Sequence, residues 1–270
     1  MAKDGITVGF IGGGEISEVM ITSMTANKLV EPANVILFDP NKARLSHMAE
    51  KFGINAASDN AGVVESSRYV FSCVRPEYAA SVIDEIASCD LAERAIVTVS
   101  AGIRMRLFET RLGNPAVARV IPTPPSRIGQ GAIALTFNRN CSEGQRADIA
   151  GLFSAMGKCF HVREDQFDAV AAITAPVHLL TVFQSLVEGA ALMGLDYKTS
   201  KDLVMQTVRG ILGMWEESPD QFDSLVEQSA TPGGISVRML HFLDQHGLKY
   251  AIKGCIEEGT LCSRAFGDEA

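Results

Sequence analysis

Residues 9–20 read GFIGGGEISEVM. The apolar run before Gly12 reads as a strand, and the segment after Gly14 reads as the start of a helix. Gly12-x-Gly14-x-x-Ser17 therefore sits where a dinucleotide-binding turn sits, with a small residue in third place. Gly12 permits the tight turn, Gly14 lets backbone approach a pyrophosphate, and Ser17 is small enough for helix–strand packing. Glu15 is the unusual residue. In a helix's first turn the dipole favours an acid by roughly 0.3–1 kcal/mol. Pointed at bound phosphates, the same carboxylate would repel them. The expectation is that it faces away and that the loop works.

Outward from this loop, six Val- and Ile-rich runs follow one another: ITVGFI, NVILFD, YVFSCV, AIVTVS, VARVI and AIALTF. Their nearly continuous hydrophobicity suits strands covered on both faces. Helix-length segments such as SEVMITSMTANKL and YAASVIDEIASC lie between them. Strand, helix, strand at this spacing predicts an α/β class with a doubly wound Rossmann sheet. Asp39 ends the second strand, 25 residues beyond Gly14. An acid there accepts hydrogen bonds from an adenosine ribose and repels a 2′-phosphate, which favours NADH among the NAD(P)H cofactors. Lys42 and Arg44 follow closely enough to reach a 2′-phosphate, and a plainer alternative has Asp39 merely capping the next helix.

After KCFHV at 158–162 the pattern becomes helical. The run FDAVAAITAPVHLLTVFQSLVEGAALMG ends on Gly194 as a C-cap, with Pro176 expected to kink it or restart it. DLVMQTVRGILGMWEES and a helix after TPGG follow. The boundary is set at 162/163, giving residues 1–162 as the dinucleotide-binding domain and 163–270 as an all-α domain. Apolar helix faces in surplus predict a homodimer or higher homo-oligomer through these C-terminal helices.

The chain's net charge of −8 and the absence of a Lys/Arg run argue against nucleic acid as a partner. No apolar run of roughly 18 residues is evident and no signal peptide is recognised, so the expectation is a cytoplasmic protein without a membrane partner. Six scattered cysteines contain no C-x-x-C pair, so no metal site is expected and most read as buried thiols. In TPGGIS, Pro232 suits a helix's first turn, and Gly233 and Gly234 leave backbone N–H groups at a positive helix end, where a carboxylate binds. The plain alternative is a helix start capped by Thr231.

GFIGGGEIS, FSCVRPE, VSAGI, VARVIPTPPSRIGQGAIAL, QTVRG and ATPGGISVRMLHFLDQHGLKYAI occur in this order over most of the chain. Together they resemble the pyrroline-5-carboxylate reductase family, which reduces a cyclic imino acid to proline with hydride from NAD(P)H. The resemblance implies that Gly12, Gly14, Glu15 and Ile16 form the cofactor loop. It adds Val74, Arg75 and Pro76 in one turn and Ala101 and Gly102 in another. Gly233, Gly234 and Ser236 match the segment that holds the imino acid's carboxylate and presents a hydroxyl to its nitrogen; Ser236 stands where a threonine is usual. Thr123 replaces an asparagine at the substrate side, Glu15 replaces an asparagine in the loop, and AITAPVHLL stands where the family has a glycine- and serine-rich turn. His178 in that segment is a second candidate proton donor, against the plainer reading of a hydrogen-bonded core histidine. His161, His241 and His246 read as structural. Two rivals remain: the same fold acting on another imino or keto acid, to which Arg127 would be suited, and a dimer that binds a dinucleotide without turnover.

Overall fold

The computed structural model describes residues 6–218 and 222–268. It contains eight strands: β1 (Val8–Ile11), β2 (Val35–Phe38), β3 (Asn55–Ala56), β4 (Tyr69–Ser72), β5 (Ala95–Thr98), β6 (Ala116–Ile121), β7 (Gly131–Phe137) and β8 (Gly157–His161). Their helices are α1 (Glu15–Ala26), α2 (Lys42–Phe52), α3 (Asn60–Glu65), α4 (Ala79–Glu85), α5 (Met105–Arg111), α6 (Glu143–Ser154) and α7 (Phe167–Thr174). Next come α8 (Val177–Leu192), α9 (Tyr197–Glu217), α10 (Phe222–Ser229), α11 (Ile235–Gln245) and α12 (Leu248–Asp268).

The strands form one sheet in the order β3-β2-β1-β4-β5-β6-β7-β8. All neighbours through β6 are parallel, whereas β7 is antiparallel to β6 and β8 is parallel to β7. The expected doubly wound sheet is thus present, with a reversed two-strand edge that hydrophobic runs alone do not reveal. Alternation along the strands supplies two cores. Val8, Phe10, Phe71, Val97 and Leu135 pack with residues of α1 and α6, while Ile11, Val70, Ile96 and Val117 pack with residues of α3, α4 and α5. Phe10 and Phe71 are register partners and their rings stack at 4.9 Å.

The chain divides into two compact units: Met1–Ala175 with Glu257–Ala270, and Pro176–Ile256. The first unit reaches past the expected boundary at 162/163 for a physical reason. Arg119, buried in β6, lies 3.5 Å from Asp168 of α7 and 3.8 Å from Glu164, with Phe167 against its guanidinium. Asp168 in turn accepts a 2.8 Å hydrogen bond from Ser263 of α12, and Glu164 accepts one of 2.7 Å from the Met105 amide at the start of α5. Both the start of the helical region and the last turns of the chain are therefore fixed to the sheet.

The apolar run at 167–194 restarts at Pro176: α7 stops at Thr174, Ala175 is extended, and α8 begins at Val177. It ends with Gly194 in the left-handed region at φ 95°. Residues 164–192 are apolar enough in composition to cross a membrane, which the sequence reading overlooked. The break at Ala175 leaves α8 as a 16-residue helix, about 24 Å of rise against a hydrocarbon core of about 30 Å.

Replacing Arg119 by Ala leaves the buried Asp168 carboxylate with only the half-exposed Arg264, 4.0 Å away, as counter-charge. It is expected to cost about 3–5 kcal/mol of stability in urea unfolding. Arg119→Met combined with Asp168→Asn is expected to lose clearly less.

Candidate functional site

The loops that follow β1, β4, β5 and β6 lie at the carboxyl end of the parallel strands, where open α/β sheets bind ligands. Gly12 leaves β1 at φ 96°, and its amide donates to Phe38 O at 2.8 Å. A Cβ there would meet the Cys73 carbonyl oxygen at 3.0 Å, so both conformation and space demand glycine. Ser17 Oγ donates back to Gly12 O at 2.5 Å, closing the turn. Gly14 is the N-cap of α1 with no side chain over it, and a Cβ built on it meets nothing within 4 Å. The cradle is open, and the first N–H groups of α1 are offered to an anion.

Asp39 lies beside this cradle. Its carboxylate accepts the Gly13 amide at 2.7 Å and the Asn41 amide at 2.8 Å. The cap of α2 is Asn41, whose side chain accepts from the Arg44 amide, so Asp39 does not serve as that cap. Arg44 turns towards the loop: Nε donates to Gly13 O at 2.5 Å and its guanidinium pairs with Glu18 at 2.5 Å. Lys51 reaches the other Glu18 oxygen at 2.6 Å. These two cations hold the Glu18 carboxyl down at about 2, with Lys51 the larger cause. The Glu18–Arg44 brace under the loop was not anticipated, and no sequence motif marks it. Only helical spacing, which puts Glu18 one turn inside α1, hints at it.

Val74, Arg75 and Pro76 form the turn after β4. Ser100 Oγ, in the loop after β5, donates to Val74 O at 2.6 Å and joins the two turns. Arg75 is exposed and precedes a short 3₁₀ turn that Pro76 starts. Ala101 is exposed and Gly102 follows at φ 75°. A Cβ on Gly102 would sit 2.6 Å from Ser263 O, and one on Gly267 would sit 2.4 Å from Gly102 O. The end of α12 therefore supports this turn. Packing pushes the Cys73 thiol up to about 12, so the loop carries no thiolate at neutral pH.

Beyond β6, Thr123 is buried and its Oγ1 accepts the Ala132 amide at 3.1 Å, while its own amide donates to Ser126 Oγ at 3.3 Å. Its hydroxyl is used in the loop itself. Glu15 points across to Arg127 in the 3₁₀ turn Pro124–Ile128 and forms an ion pair with it, both side chains largely exposed. Ile16, Thr123 and Arg127 share the lining of one cavity of about 440 Å³.

The remaining expected residues belong to the second unit. His178 is half-buried in the first turn of α8. Pro232 does not lie in a helix's first turn and Thr231 is not its cap. The Gly234 amide instead donates to Thr231 O at 3.0 Å, closing a turn with Pro232 second and Gly233, at φ 74°, third. Pro then Gly in these places is what a type II turn requires. Gly234 itself caps α11 without a side chain, so the helix start still offers free N–H groups. Ser236, in α11's first turn, is exposed and lines an apolar hollow with Trp215 and Met239.

A family model described as pyrroline-5-carboxylate reductase dimerisation matches residues 164–265, and one described as NADP oxidoreductase, coenzyme F420-dependent, matches residues 7–102. The chain is 24% identical to the pyrroline-5-carboxylate reductase of Synechocystis sp. over 97% of its own length and 98% of the relative's. It is 28% identical to that of Corynebacterium melassecola, covering 91% and 93%. The fold is shared with the NADP-bound pyrroline carboxylate reductase of Plasmodium falciparum (TM-score 0.89, 22% identity, 98% and 100% covered). A more distant fold relative is a reductive aminase of Aspergillus terreus in complex with NADPH (TM-score 0.62, 14% identity, 98% and 93% covered).

Glu18 carries a depressed pKa, so its pairing stabilises the fold above its ordinary value of 4.5 and is lost as pH falls towards about 2. Melting temperatures followed from about pH 6 down to pH 3 are expected to fall more steeply for the wild type than for Glu18→Gln.

Proposed function

We propose that this chain, which belongs to the pyrroline-5-carboxylate reductase family, reduces pyrroline-5-carboxylate to proline with NAD(P)H. The observation that carries the reading is the open, uncapped cradle at Gly14, with an Asp39 carboxylate beside it and the parallel strands β1–β6 beneath. The residues present fit a dinucleotide. Glu15 and Ile16 amides, with that of Gly14, would hold its phosphates, and the turns at Val74–Pro76 and Ala101 would line its path. Thr123 would contribute to the substrate side through the loop it holds in shape. When bound, the cofactor supplies a hydride from its nicotinamide ring to the imine carbon.

The chain's own residues orient and protonate. Gly234 spends its own amide on Thr231 O, and the Gly233 amide with the first N–H groups of α11, uncovered because Gly234 caps the helix without a side chain, would take the substrate carboxylate. The Ser236 hydroxyl, in the first turn of α11, holds the imine nitrogen or passes it a proton, with His178 as the alternative donor. A cyclic imine is readily protonated in water, so positioning, worth several kcal/mol, suffices in place of a strong acid. The dimerisation model over 164–265 and the many exposed apolar side chains of α8, α9 and α11 support a homo-oligomer. A cytoplasmic enzyme that prefers NADH belongs to the same reading. Asp39 lies where a ribose hydroxyl would bind, and Arg44 spends its guanidinium on Gly13 and Glu18 rather than on a 2′-phosphate.

Oxidation of NADH or NADPH at 340 nm that depends on added pyrroline-5-carboxylate tests the assignment, and its absence in a chain that binds the cofactor would turn it to another imino or keto acid. Asp39→Ser is expected to weaken NADH binding more than NADPH binding, and equal losses would remove the ribose role. Ser236→Ala is expected to lower kcat while leaving NADH affinity within about twofold; an unchanged rate would remove Ser236 from the chemistry.

A further inference from the structure

Glu15 is the first residue of α1, directly after the open cradle at Gly14. An anion bound by the helix's free N–H groups would lie within a few ångströms of that position, where an unpaired carboxylate opposes it. Arg127, 112 residues later, meets this carboxylate from the 3₁₀ turn that follows β6. The Glu15 side chain is 79% exposed and that of Arg127 55%. Exposed pairs contribute little to stability, so holding the fold together does not account for the contact. Its position does. Cavities of about 710 Å³ and about 440 Å³ adjoin the pair, and Glu15, Val19 and Arg127 line both. The pair thus stands between the start of α1 and the turn after β6, drawing the Glu15 carboxylate across towards Arg127.

We propose that Arg127 is a positioning residue for dinucleotide binding: it holds the Glu15 carboxylate aside and neutralises it, which is what allows an acid to occupy this phosphate loop. Its contribution exists only while Glu15 is present, which separates it from a residue that touches the cofactor. The inference rests on the proposed binding of NAD(P)H at the Gly12–Gly14 loop.

Titration of the full chain with NADH and with NADPH at low salt tests it. Arg127→Ala and Arg127→Gln are expected to weaken both dinucleotides about threefold to tenfold. Arg127→Lys is expected to retain most of the affinity. In a Glu15→Gln background, Arg127→Ala is expected to change affinity by less than twofold, and raising salt to about 0.5 M is expected to shrink the single-variant loss. Unchanged binding by the single variants overturns the proposal while leaving the cofactor reading in place. So does an equal loss with and without Glu15, which would mean that Arg127 contacts the ligand itself. A wild-type chain that binds neither dinucleotide overturns the underlying reading and this inference with it.

Discussion

The fold depends on one buried charge. Arg119 stands in the middle of a strand that is otherwise Ala, Val and Ile, and taking a guanidinium out of water is costly unless counter-charges come with it. Burial pushes its proton affinity down, and Asp168 and Glu164 offset only part of that. Those two acids come from the segment that leaves the sheet, and Asp168 is itself held by Ser263 near the end of the chain. Pairing the charge of one strand residue thus fixes where the helical region starts and where the last helix finishes. A purely apolar residue at 119 would leave both to be set by packing alone.

From that anchor the two halves of the chemistry are built by different means. The loops proposed for the dinucleotide are shaped by backbone: Gly12 at positive φ against Cys73, Ser100 tying one turn to the next, and Arg44 gripping the Gly13 carbonyl. The segment proposed for the substrate carboxylate is shaped by a Pro-Gly turn that aims an uncapped helix start. In the proposed reaction the residues of both halves bind, orient and pass a proton. That agrees with a reaction in which orientation contributes most of the acceleration.

Much of this was legible from residue order. The strand runs, the Gly12–Ser17 turn and the restart at Pro176 are written in local physics, since hydrophobic period, missing side chains and a missing N–H each act within a few residues. What was not legible lies in pairings across long separations. The reversal of β7 depends on which edge of β6 is free, and the brace from Glu18 to Arg44 spans 26 residues. The partner of Glu15 lies 112 residues away. Thr231 and Pro232 were misplaced for a subtler reason. Both a helix start and a type II turn welcome that Pro, and only the positive φ of the glycine after it separates them.

The contact between Gly102 and Gly267 ties two distant places in the gene together. The turn at Ala101–Gly102 and the last turn of α12 approach so closely that a β-carbon on either would collide with the other's backbone or its neighbours. Neither position can drift alone. A lineage that gains a side chain at one has to shift the helix, and with it the turn proposed to meet the cofactor. The last turn of α12 thereby shares the steric restraint of the loop it supports, and trimming it back would unsettle a turn that lies more than 150 residues earlier.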